Sequence, residues 1–224
     1  RRAAMHVIFR ERHGLDGLDS PVDLAQSPGE IVVLSFSDSD LGAFAEAWRA
    51  QSDALPSLRL ANLAALKHPL SVDAYCEKTL AHAKAILVRL IGGEAYWSYG
   101  LRQVQDLALS AGAVLAVLPA DGRRDERLEA YSTLPADELH ELNRLCDIGG
   151  VEAAGAALGV LARAAGLPAP PARKIAPLPA FGWHENDSDR DAPLAIVVFY
   201  RSYITAADLA PIRALRQALR ERGF

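Results

Sequence analysis

Four continuous runs of apolar, mostly branched residues constrain what this chain can fold into more than any other feature of it. They occupy residues 5–9, 31–36, 85–91 and 114–118, and each stops at a polar, proline or glycine turn. A run that is apolar at successive positions has no solvent face, so as a strand it has to be covered on both sides. Helical stretches at residues 41–50 and 100–110 fall between these runs and supply the cover. The pattern predicts an α/β fold with a doubly wound, mostly parallel sheet. Ligands meet such sheets at the loops that follow the carboxyl ends of the strands. Here those are residues 10–14, 37–40, 92–99 and 120–123.

Two helices follow without a strand between them, at residues 137–145 and 151–166, and read as a helical flank or lid on the sheet. The composition then changes. Pro168, Pro170, Pro171, Pro177, Pro179 and Pro193 stand among Asn186, Asp187, Ser188, Asp189 and Asp191, which marks a linker that is stiff where proline-rich and loose where acidic. Residues 194–200 form a further apolar run expected to be a strand, followed by a helix to about Arg222 with Gly223 as its stop. One strand and one helix cannot bury both faces of a sheet. The expected organisation is therefore an N-terminal α/β domain over residues 5–166, a linker over 167–193, and at 194–224 the first βα unit of a second α/β domain. The partners of that unit are expected beyond Phe224.

Charge removes one class of function. The 24 Lys and Arg are outnumbered by 28 Asp and Glu, leaving a formal charge of −4, so the phosphate-neutralising surface that nucleic-acid binding rests on is not expected. The longest apolar stretch, residues 151–165, is interrupted by Glu152 and Arg163 and falls short of the ~20 residues of a membrane span. Arg1 and Arg2 lead into a strand pattern and not into a signal peptide, with Met5 a plausible start. Cys76 and Cys146 lie far apart in helical contexts and read as reduced, buried thiols. The expectation is a cytoplasmic protein with no membrane and no nucleic-acid partner.

No phosphate loop, HExxH, GxSxG or GxGxxG motif is present. None of the six histidines has another three or four residues away, so no metal site is assigned, and no catalytic residue either. Candidate substrate-binding residues are those that the strand order sends to the crevice. His13 follows the first strand. Glu94, Trp97 and Tyr99 follow the Gly92-Gly93 turn, where aromatic faces beside a carboxylate can hold a flat macrocycle. Arg201 precedes the last helix, where free N–H groups favour an anion. Each has a rival structural reading: Trp97 and Tyr99 pack their loop onto the next helix, Gly92-Gly93 is a tight turn, and Arg201 bridges to a carboxylate. Asp38 and Asp40 face the crevice as possible metal carboxylates or, more economically, cap the helix they precede.

Specific strings carry more information than these periodicities. Residues 5–11, 34–41, 58–63 with 68–73, 88–93 with Tyr96-Trp97, and 198–203 together resemble one family, in order and spacing, over essentially the whole chain from Met5. It is the N-terminal region of the large, CobN-type subunit of aerobic cobaltochelatase, related to the magnesium chelatase large subunit. The resemblance implies a subunit of well over a thousand residues that inserts Co2+ into hydrogenobyrinic acid a,c-diamide, a corrin precursor, in aerobic cobalamin biosynthesis. It also implies two AAA+ type partner subunits that hydrolyse ATP with Mg2+, a ligase forming cobalt–nitrogen bonds, and catalytic residues beyond Phe224. On that reading this stretch holds substrate or docks partners and is inactive alone. The alternative is a stand-alone small-molecule-binding α/β module.

Overall fold

The computed structural model describes residues 5–8, 20–185 and 193–224. Five parallel strands form one sheet: β1 (Met5–Ile8), β2 (Ile31–Ser35), β3 (Leu58–Asn62), β4 (Ala85–Leu90) and β5 (Val114–Pro119), in the spatial order β1-β3-β2-β4-β5. Registers run Ile31 against Leu58, Ile31 against Ala85 and Ala85 against Val114. The winding goes outward from β2 to β3, then crosses back over β2 to β4. The carboxyl ends of β2 and β4 therefore flank the point where it reverses.

Side chains alternate between two cores, as the pleat requires. Ile31, Val33, Leu58, Leu60, Ala85, Leu87, Ala116 and Leu118 face α1 (Asp38–Ala50), α5 (Ala136–Ile148) and α6 (Gly150–Ala164). Val32, Leu34, Ala61, Ile86, Val88, Leu90, Leu115 and Val117 face α2 (Pro69–Lys78) and α3 (Ser98–Ala111). Both faces are thus buried, which is why the strands are apolar at successive positions. The expected helical flank is the pair α5 and α6, and it lies on the sheet as a covering layer.

Two sequence expectations need correction. Strand β3, next to the centre of the sheet, does not stand out in the periodicities because Arg59 and Asn62 break its apolar run. Arg59 is nevertheless only 4% exposed. Its guanidinium folds under the preceding segment and donates to the carbonyls of Ser27 and Pro28, each at 2.6 Å. The second correction concerns residues 194–200, which form no strand here, and the single helix expected after them. That helix is two, α7 (Ser202–Thr205) and α8 (Ala210–Arg220), parted where Ala207 takes a φ of +59°. A strand needs a neighbour to complete its ladder, and residues 194–199 have none among the described residues.

From residue 167 to 185 the chain has no helix or strand but is tied down: Arg163 donates to Pro170 O (2.9 Å) and Arg144 to Ile175 O (3.0 Å). The acidic residues 187–191 lie outside the described residues. No helix among the described residues is long and apolar enough to cross a membrane.

Candidate functional site

The loops after β4 and β5 enclose an open crevice of about 320 Å³ at the carboxyl edge of the sheet, lined by Leu90, Gly92, Gly93, Pro119, Asp121, Arg123, Arg124 and Asp125. Gly92 and Gly93 take φ values of +84° and +81°, which only glycine adopts without strain. A Cβ on Gly92 would also meet the Tyr96 ring at 2.5 Å. The pair is therefore a turn that also brings bare backbone to the crevice wall. On the opposite wall, Asp125 accepts from the N–H groups of Arg127 (3.0 Å) and Leu128 (3.3 Å), capping the short helix α4 (Glu126–Glu129). Arg124 pairs with Glu129 at 3.3 Å. The Arg123 guanidinium has no carboxylate within ion-pair distance among the described residues and is the free cation of the lining.

Beneath the crevice lies an ionic cluster that the sequence reading missed. Arg89, 4% exposed and next to the carboxyl end of β4, donates to Asp40 Oδ2 (2.8 Å), Asp147 Oδ1 (3.2 Å) and the carbonyl of Pro119 (3.3 Å). Ser35 Oγ donates to the same Asp40 oxygen at 2.9 Å. The cluster ties β4, the start of α1, the end of α5 and the crevice floor together at the β2/β4 reversal. Its Nε is buried with no partner among the described residues. Burial pushes the Asp147 carboxyl above its ordinary value, with Arg89 opposing. An arginine inside an otherwise apolar run was the available signal, since a buried guanidinium has to be paired.

The helix cap differs in detail from expectation: Ser37 accepts from the Asp40 N–H at 3.2 Å, Asp40 serves Arg89, and Asp38 accepts from Asn62 at 2.7 Å. Among the described residues no cluster of three or more His, Cys, Asp or Glu suited to a metal occurs, at these aspartates or elsewhere.

The proposed substrate residues are not brought together. His13 lies outside the described residues. Trp97 is 4% exposed, packs in the core under α3 and donates its indole N–H to Leu66 O at 2.8 Å, so its faces are occupied. Tyr99 is exposed and donates to Asp73 Oδ1 at 2.7 Å, while Glu94 accepts from Tyr131 at 2.8 Å. All three follow β4, with Tyr99 in the first turn of α3, but they engage three different parts of the fold. Arg201 is exposed and donates to Leu178 O at 3.2 Å, away from the crevice lining. Among the sequence-expected loops, Gly92-Gly93 and residues 120–123 do meet at the crevice.

Fold and crevice define the class: a doubly wound parallel α/β domain with its open site at the carboxyl edge of the sheet. Over nearly its whole length, the chain is homologous to proteins named aerobic cobaltochelatase subunit CobN. It is 37% identical over 232 residues to the aerobic cobaltochelatase subunit CobN of Pseudomonas aeruginosa, covering 98% of this chain and 18% of that protein. It is 33% identical over 238 residues to the CobN subunit of a Sinorhizobium species, covering 98% and 19%. The chain thus spans about a fifth of the length of these relatives. The catalytic subunit of cobaltochelatase from Mycobacterium tuberculosis shares the fold, with a TM-score of 0.70 at 23% identity over 86% of this chain and 15% of that one. No family model matches the chain.

Proposed function

We propose that this chain is a substrate-holding portion of an ATP-dependent cobaltochelatase, a ligase-type enzyme that inserts Co2+ into hydrogenobyrinic acid a,c-diamide in aerobic cobalamin biosynthesis. In this reading two AAA+ type partner subunits hydrolyse ATP with Mg2+, and cobalt is a substrate delivered to the assembled enzyme. The homology supports the chelatase assignment, and the crevice at the carboxyl ends of β4 and β5 is the observation that supports a substrate-holding role for this stretch.

Crevice size decides what can be held. At about 320 Å³ it lies at the small end of ligand pockets, which run from roughly 300 to 1,000 Å³ for drug-sized molecules. A corrin ring exceeds it, whereas one side arm of the ring fits. The substrate is an acid only partly converted to amide, so its periphery carries carboxylates. The Arg123 guanidinium, with no ion-pair partner among the described residues, suits a carboxylate, and the bare backbone at Gly92 and Gly93 lets an arm approach closely. Gripping the periphery leaves the ring face open. Metal insertion needs ring N–H protons removed and cobalt waters shed, and fixing the ring's orientation lowers the entropic part of that barrier.

Arg123→Glu in the assembled chelatase tests this. The expected result is a rise of about three- to tenfold in KM for the corrin, the size of one partly exposed charge contact, with ATP turnover unchanged. An unaltered KM sinks the assignment of the crevice.

A further inference from the structure

The crevice is lined by groups of both charges, and the way they pair leaves a particular pattern facing its interior. Arg124 is taken by Glu129, and Asp121 Oδ1 accepts from the Arg123 backbone N–H at 3.2 Å. Asp125 divides its two oxygens. Its Oδ1 accepts from the N–H groups of both Arg127 and Leu128, which holds the half-buried side chain in place. Its Oδ2 has no hydrogen bond or ion pair among the described residues and faces the Gly93 backbone, where a Cβ would lie 3.4 Å from it. The lining therefore offers one fixed acceptor, Asp125 Oδ2, and one donor group without an ion-pair partner among the described residues, the Arg123 guanidinium.

Charge and hydrogen bonding then favour the same kind of ligand. Two carboxylates, Asp121 and Asp125, stand against the one guanidinium that no carboxylate neutralises, so the lining has an excess of negative charge. Arg123 can donate to a carboxylate oxygen or to an amide oxygen alike, and leaves the choice to its neighbours. A carboxylate brings acceptors alone, so it meets Asp125 Oδ2 with repulsion and no proton to share. A primary carboxamide has nearly the same shape, is neutral, and carries a donor beside its acceptor.

We propose that the arm held in this crevice is a primary carboxamide, its N–H donated to Asp125 Oδ2 and its oxygen accepting from Arg123, and that Asp125 sets the preference for amide over acid. The inference rests on the reading of the crevice as a grip on one side arm, and selects among the arms. A site that hydrogen-bonds an N–H rejects the analogue lacking it, because its own acceptor is then left unpaired. Since Asp125 is half-buried and the crevice is open, water limits the preference to about tenfold.

Asp125→Asn tests the proposal, because asparagine caps a helix as well as aspartate does through its oxygen, while the second oxygen is replaced by an NH2 donor. KM of the assembled chelatase is measured for hydrogenobyrinic acid a,c-diamide and for the same ring with both arms as acids. The ratio of acid to diamide KM is expected to fall about tenfold in Asp125→Asn. If Arg123→Glu raises the diamide KM while Asp125→Asn leaves the ratio unchanged, the grip stands and the amide preference is overturned. If neither variant alters either KM, the crevice reading fails and takes the amide assignment with it. Amide NMR of the parent chain with propionamide and propionate gives a readout without any variant. Propionamide at about 10–50 mM is expected to shift Gly93 and residues 121–125, with propionate about tenfold weaker. Equal or tighter propionate binding overturns the proposal.

Discussion

Replacing Arg89 by methionine removes the cation at the centre of the buried cluster and keeps most of the side chain's volume. Asp40 and Asp147 would then share a poorly solvated space with Ser35 as the remaining side-chain donor to Asp40. Breaking a buried ion pair from one side costs about 3–5 kcal/mol, because the remaining charge has lost its partner. The two carboxylate side chains are 19% and 35% exposed, so water recovers part of that and the lower end applies, about 3 kcal/mol. With a urea dependence of about 3 kcal/mol per molar for a chain of this size, the unfolding midpoint should fall by about 1 M. Adding Asp40→Asn to Arg89→Met should recover about half of the loss, since removing both charges costs less than orphaning one. A loss below about 1 kcal/mol, or a double variant no better than the single, would refute the reasoning that the cluster is a mutually dependent buried network.

Gly100→Ala should destabilise the chain by about 1–3 kcal/mol despite the helix preference for alanine, because the new Cβ would fall 2.1 Å from the Trp97 ring; thermal unfolding checks this, and a stabilised variant contradicts the packing. Asp147 has its folded pKa raised above 3.8 by burial, so its contribution is full below that value and is lost as pH rises through the folded one. Urea midpoints of Asp147→Asn should therefore fall less steeply between about pH 4 and 7 than those of the parent chain, and a steeper fall contradicts the sign. Burial pushes the thiols of Cys76 and Cys146 up to about 12, so neither should react with a thiol reagent at pH 8 in the native state, and both should react on unfolding; fast native labelling of either contradicts its placement.

Elements whose burial is symmetric were the legible ones. Strands β2, β4 and β5 announce themselves because both faces are covered and successive residues are apolar. Strand β3 is equally buried, but one of its positions is filled by an arginine that satisfies itself on the carbonyls of Ser27 and Pro28, and that depends on a segment about thirty residues away in sequence. Residues 194–200 show the converse: composition gave a strand, and the ladder depends on neighbours that composition does not reveal. At the site, Gly92-Gly93 and the loop after β5 were readable because strand order sends them to one edge. Trp97 was not, since an indole beside a glycine pair looks the same in sequence whether it faces a ligand or the Leu66 carbonyl. Asp40 had two plausible roles along the sequence, cap or ligand, and its actual partner, Arg89, lies 49 positions away.

The most direct test of the central claim is amide NMR of the 224-residue chain during titration with hydrogenobyrinic acid a,c-diamide. Saturable shifts are expected at Leu90, Gly92, Gly93 and residues 121–125, with α2 and α6 unmoved. Shifts confined to other surfaces, or none at millimolar corrin, would contradict a substrate grip at the carboxyl edge of this sheet.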